Sequence, residues 1–233
     1  MLLALLCSGC AQERKAWQYQ PDPPLQRPPV LANTVAVTNF EDQRAPFSMP
    51  SKHLGLLAMV PGLPYFTQEG ERPDEIPQRE LGFRPREEFA RAFADELRNR
   101  RIFNSVVFAR EGGAADLVLH GRLTSTHWEN TVYLYGLTFY GALLLGLFGA
   151  PLNGNMVELA FTLQLQEPQT STVLWERSFK KERAIKVGIY YGWKESGTQY
   201  EAALKELMPE VLSDLEQAIK GMTTAVAERT REQ

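Results

Sequence analysis

Three histidines (His53, His120 and His127) and two cysteines (Cys7 and Cys10) are all the chain holds of those types in 233 residues. On a continuous strand, His120 and His127 lie an odd number of residues apart and face opposite sides, so they do not share a metal. No HExxH, GxSxG or GxGxxG spacing occurs. Gly188, Gly192, Lys194 and Ser196 follow the order of a phosphate loop, but the glycines stand one residue too close. Trp193 also separates Gly192 from Lys194, so the amide cradle does not form. Residues 188–196 read better as an aromatic loop. Tyr190, Tyr191 and Trp193 either make an exposed contact or, the favoured reading, pack on the final helix. Glu87 and Glu88 open a helix, where carboxylates offset its dipole. Lys180, Lys181, Arg183 and Lys186 belong to a solvated strand end. No catalytic, cofactor-binding or metal-ligating residue is assigned, and the expectation is a protein that is not an enzyme and needs no cofactor.

The cysteines carry a more specific signal. Leu5-Leu6-Cys7-Ser8-Gly9-Cys10-Ala11 is a short apolar run, then Ser-Gly, then a cysteine. It resembles the lipobox of bacterial lipoproteins. That resemblance implies cleavage before Cys10 and a diacylglycerol on its thiol, with further acylation giving a stable anchor. Cys7 stands where the family usually has Leu, and Met1–Leu6 has no basic residue, which implies a true start upstream. After processing, only the acylated cysteine remains, leaving no thiol for a disulfide or a thiolate metal site. Ala11 and Gln12 follow Cys10. By resemblance, the lack of an Asp there implies the outer membrane, with the protein facing the periplasm.

Composition is that of an ordinary globular chain, 44% hydrophobic and 23% charged, with a formal net charge of −3. No basic field recruits nucleic acid. Gln20–Pro29 is Pro-dense and without apolar period, and is expected to be an extended spacer. The organisation read from these features is a signal-peptide remnant (1–9), a lipidated tether (10–30), one α+β domain (31–221) and a polar tail (222–233).

The domain begins with a β-rich stretch, Thr34–Phe40. Pro85 suits a first helical turn, and Phe89, Phe93 and Leu97 recur at helical spacing through residues 86–101. Short strands follow at 105–108 and 116–123. Val157, Leu159, Phe161, Leu163 and Leu165 alternate on one face of a strand whose hairpin partner is 172–179. Tyr200, Leu204, Leu207, Val211, Leu215 and Ile219 trace a long amphipathic C-terminal helix, which Pro209 should bend. The fold expected is α+β, a mixed β-sheet with helices on one face. Val35-Ala36-Val37-Thr38-Asn39-Phe40, the helix after it and Ala115-Asp116-Leu117-Val118-Leu119-His120-Gly121 together resemble the amino-terminal domain of TolB and the curli secretion lipoproteins, over roughly residues 34–183.

Two long apolar insertions depart from that pattern. The first, Leu54–Phe66, contains Leu54, Leu57, Met59 and Tyr65. The second, Val132–Leu152, contains Tyr135, Phe139, Tyr140, Leu144 and Phe148, and no charge occurs between Glu129 and Glu158. Three readings of the second are open: a membrane span or insertion by length, core folded over the sheet with the first insertion, or an exposed interface patch. Core is the favoured one; the nine residues just named are the candidate interface under the third. The function expected is a membrane-anchored envelope lipoprotein acting as an adaptor or accessory subunit, with unidentified envelope partners. The alternative is an oligomeric transport or secretion component that inserts residues 132–152 into a membrane.

Overall fold

Strand β7 (Asn153–Glu167) organises the chain, and its alternating sequence explains why. Val157, Leu159, Phe161, Leu163 and Leu165 all bury on one face, as a period of two requires. The computed structural model describes residues 17, 19–46, 59, 61–71, 84–109 and 115–231. Its other strands are β1 (Leu31–Thr38), β2 (Glu41–Asp42), β3 (Tyr65–Glu71), β4 (Phe103–Ala109), β5 (Leu117–Ser125), β6 (His127–Tyr133) and β8 (Thr172–Val187). The helices are α1 (Pro85–Arg100), α2 (Phe139–Leu147), α3 (Trp193–Ser196) and α4 (Gln199–Arg231).

β8 pairs antiparallel with β7 along its whole length, from Asn153↔Val187 to Glu167↔Thr172. On its other edge β7 changes partner. Residues 160–166 pair with β5, and residues 153–157 pair with β6. The change falls at Thr126, the single residue between β5 and β6. Its backbone N–H donates to Glu71 (2.6 Å), and its carbonyl accepts from the Tyr200 hydroxyl (2.7 Å). The sheet therefore has two halves. In the lower half, β5 is followed by parallel β1 and then parallel β4. In the upper half, β6 is followed by antiparallel β3.

Helices α1 and α4 cover one face of the lower half. Phe89, Phe93 and Leu97 of α1 and Leu204, Leu207, Val211, Leu215 and Ile219 of α4 join the inward residues of β1, β5 and β7 in one core. Phe40, Phe93 and Phe161 meet at its centre, at ring centroid distances of 5.3–6.1 Å. The α+β class, the mixed sheet and the helices on one face are as expected. The sequence reading missed β3 and β6, because their residues are largely polar, none is fully buried, and they show no apolar alternation. Helix α4 continues through Pro209.

The Pro-rich segment corrects an expectation. Residues 19–30 have no regular secondary structure, yet they lie along α1 and α4 instead of standing free as a spacer. The Tyr19 hydroxyl (2.7 Å), the Asp22 N–H (3.0 Å) and the Lys205 ammonium (3.0 Å) all donate to Oε1 of Glu96, a fully buried carboxylate. Burial, then the bond to Glu96, pushes the Tyr19 hydroxyl far above its usual range, which keeps it a donor. Leu25 N–H reaches the Asn99 carbonyl (2.8 Å), and Arg27 forms a bidentate pair with Glu216 (2.8 and 2.9 Å). These contacts outweigh the preference of a Pro-rich chain to extend into water. Trp17 packs edge-on against Phe89, with centroids 5.4 Å apart. The strap thus runs parallel to α1, from its N-terminal turns to its C-terminal end.

Two predictions follow from this packing. A Cβ on Gly121 would lie 2.3 Å from the ring of the fully buried Phe40. Gly121→Ala should lower unfolding free energy by about 1–3 kcal/mol, measured as a shift in urea midpoint; an unchanged midpoint would mean that Phe40 is not held there. The hydrogen bond from Arg27 holds Glu216 down at about 2, against an ordinary 4.5. A depressed carboxylate stabilises the fold above its unfolded pKa and loses that contribution as pH falls through the folded value. Glu216→Gln should lower Tm at pH 7, by an amount that shrinks as pH falls from about 5 to about 2; a deficit constant over that window would contradict the ion pair.

Candidate functional site

Three chain connections meet at the upper end of the sheet, where β3 begins, β6 ends, β7 begins and β8 ends. Tyr65↔Tyr133, Val132↔Asn153 and Asn153↔Val187 are paired there. Pro64 accepts backbone bonds from Leu134 and Tyr135 (2.8 Å each), and Gly62 donates to Gly136 (2.9 Å). Leu152 bridges the other side, donating to Val187 and accepting from Tyr133 (2.8 and 2.9 Å). Positive φ at Gly62 (92°), Gly136 (76°) and Gly149 (92°) lets the connections turn this tightly.

Helix α2 sits on this junction with its usual polarity reversed. The two residues it buries are Ala142 and Gly146, one turn apart. A Cβ on Gly146 would come within 2.8 Å of Leu152 and 3.2 Å of Ile189, so only a small residue lets the helix seat. The large side chains point outward. Leu143, Leu144, Leu145, Leu147 and Phe148 are exposed, Leu144 at 60% and Phe148 at 89%. An amphipathic helix of a water-facing protein does the opposite.

The aromatic loop after β8 packs against this tip and not on the final helix. The Tyr190 hydroxyl donates to the Leu147 carbonyl (3.3 Å), Tyr191 to Gly149 (3.2 Å) and Tyr135 to Pro151 (2.6 Å). Three alternate carbonyls, at the last residue of α2 and in the loop after it, are thereby satisfied by tyrosines. The N–H groups of Phe148, Gly149, Ala150 and Leu152 all have backbone acceptors. Tyr65, Tyr135, Tyr190, Tyr191 and Trp193 are exposed around the base of the tip.

Of the candidate interface residues, Tyr135, Phe139, Tyr140, Leu144 and Phe148 lie on or beside α2, Tyr65 stands next to them at the start of β3, and Met59 is exposed. Leu54, Leu57 and the lipidation candidate Cys10 lie outside the described residues, as does His53. The favoured reading of 132–152 as core is corrected. Leu134, Ala142 and Gly146 are buried, but most of the large apolar side chains are not. The physical reason is that, among the described residues, no helix covers the sheet's upper half and folds them under. No helix of the described residues is long and apolar enough to cross a membrane, and α2 has nine residues. What sequence reading missed was the seat itself; the i, i+4 pair of small residues in an otherwise large apolar run is its signal.

The remaining chemistry is sparse. The His120 ring contacts the Thr38 hydroxyl (3.1 Å), and burial pushes its pKa down. His127 lies 3.7 Å from Glu69 on another strand pair. Among the described residues, no three His, Cys, Asp or Glu side chains gather as a metal site.

No family model matches the chain, and no curated protein does. Among solved structures, it is similar to a DUF330 protein from Xanthomonas campestris, at 10% identity and TM-score 0.46, covering 91% of this chain and 99% of that one. A lipoprotein from Neisseria meningitidis matches at 11% identity and TM-score 0.29, covering 76% and 98%. A PelC dodecamer from Paraburkholderia phytofirmans matches at 13% identity and TM-score 0.26, covering 80% and 92%. At these scores the likenesses bring neither a family nor a function to this chain.

The seat of α2 is open to a direct check. Gly146→Leu should lift the helix from Leu152 and Ile189, speeding chymotryptic cleavage within residues 137–150 by about tenfold or more. The global unfolding free energy from urea titration should change by less than about 0.5 kcal/mol, since the tip opens locally. Cleavage at the parental rate would show that Gly146 does not set the helix position.

Proposed function

We propose that this chain is a non-enzymatic accessory subunit of a bacterial cell envelope, tethered by a lipid on Cys10, that works through the apolar tip around α2. The observation that carries the reading is the reversed helix: small residues inward, leucines and phenylalanine outward, on a rigid junction. An isolated apolar side chain at a surface needs no explanation, but a contiguous patch of this kind marks a contact surface. The lipobox-like sequence at Leu5–Ala11 supports that location, and Ala11 after the cysteine favours the outer membrane, facing the periplasm. The adaptor role fits a chain whose polar clusters are occupied in holding its own parts together, as Glu96 and Glu216 are.

Alkyne-palmitate labelling of the full chain in a Gram-negative host tests the anchor. The wild type should incorporate label and sediment with membranes, and Cys10→Ala should incorporate none. A labelled Cys10→Ala protein, or an unlabelled wild type, would overturn the assignment.

A further inference from the structure

We infer that the occupant of the apolar tip is a phospholipid bilayer, entered to interfacial depth by α2 and the loop after it, and that it is the same bilayer that holds the Cys10 lipid. The inference rests on the envelope reading above and adds the tip's chemical partner.

Four features distinguish a bilayer from a protein partner. First, no charged side chain occurs from Asn130 to Val157, and the exposed charges lie at the base of the tip, where Lys186 pairs with Gly154 and Lys194 and Glu195 follow Trp193, at the level expected of phospholipid headgroups. Second, its side chains are layered. Leu143, Leu144, Leu147 and Phe148 project from the helix and its end, and Tyr65, Tyr135, Tyr190, Tyr191 and Trp193 surround the base. Amphipathic rings of that kind settle at the headgroup level while aliphatic groups enter the acyl region.

Third, most of the backbone between Leu147 and Leu152 is satisfied from within, the carbonyls of Phe148 and Ala150 excepted. The carbonyls of Leu147, Gly149 and Pro151 accept from tyrosine hydroxyls, and the carbonyl of Leu152 accepts from Tyr133. Every N–H from Phe148 to Leu152 is paired, and Pro151 has none to pair. Water would satisfy those groups without help, but at membrane depth nothing else can. Nine helical residues span only about 14 Å, enough to lie in one leaflet and too little to cross.

Fourth, the anchor reaches the right height. The start of α1 adjoins the end of β1 through the Phe40–Arg86 bond, so the first turns of α1 face the tip end of the sheet. Trp17 is held there by Phe89, one turn above Phe93, which packs on Phe161. From that level to Asn153, where the tip begins, is some six strand residues, or about 20 Å. The seven residues from Cys10 to Ala16 extend at most about 24 Å. A lipid on Cys10 and the aromatic base of the tip can therefore share one membrane surface.

Vesicle flotation tests the inference separately from acylation. The full chain carrying Cys7→Ala and Cys10→Ala has no lipid, and its aspartate variant keeps the same apolar Met1–Leu6 run, so the difference between the two reports the tip's hold on phosphatidylethanolamine–phosphatidylglycerol vesicles. It should float with them, and adding Leu144→Asp with Phe148→Asp should reduce the bound fraction about tenfold or more. Both residues are exposed, so unchanged far-UV circular dichroism is expected and verifies folding. Failure of the unlipidated chain to float, or equal flotation of the aspartate variant, would overturn the bilayer assignment while leaving the palmitate result intact. Self-association in the absence of vesicles that the aspartates abolish, with no flotation, would assign the tip to a second copy of the chain instead.

Discussion

Among the described residues, α1 and the packed stretch of α4, Tyr200 to Ile219, cover only part of the β7–β8 hairpin, and the rest of the molecule is arranged around that difference. A strand of fifteen residues extends about 50 Å. Helix α1 has sixteen residues and covers about half that length, at about 1.5 Å per residue. The covered half becomes a core with three packed phenylalanines. The uncovered half becomes a four-stranded blade of half-buried polar residues. The partner change at Thr126 marks the boundary, and Tyr200 at the start of α4 is pinned to the same place.

The blade, which no helix of the described residues covers, has an end to close, and the chain closes it with apolar residues. Ala142 and Gly146 seat α2 on Leu152 and Ile189, tyrosines satisfy the carbonyls that the helix leaves behind, and Leu134 fills the junction beneath. Closing the end therefore consumes the small residues and leaves the large ones outside. That geometry leaves a contiguous apolar patch at the surface. The ion pairs of the strap, Arg27 with Glu216 and Lys205 with Glu96, lie away from it and tie the strap to the helices.

Elements with strong periodicity were legible from sequence: α1 through Phe89, Phe93 and Leu97, β7 through its five alternating residues, and α4 through its apolar stripe. The upper half was not. In β3 and β6, residues such as Thr67, Glu69, Asn130 and Thr131 are held by cross-strand pairing and not by a core, so no apolar alternation announces them. The strap escaped for another reason. Prolines signalled extension correctly, but docking depends on Glu96 and Glu216, which are distant in sequence. The apolar residues of the tip were legible as an unusual run, while their outward orientation depended on which residues were small enough to face inward.

Under the proposed function, anchor and tip would hold the protein to one membrane at two points, with the docked strap joining the first to the body that carries the second. The most direct test places a nitrobenzoxadiazole label at Phe148→Cys in lipidated protein carrying Cys7→Ala, reconstituted in vesicles with nitroxide-labelled acyl chains. A control label at Val173→Cys reports the opposite end of the hairpin, where β8 begins. The account predicts blue-shifted, quenched emission at 148 and water-like, unquenched emission at 173. Unquenched emission at 148 in protein that remains bound to the vesicles would contradict it.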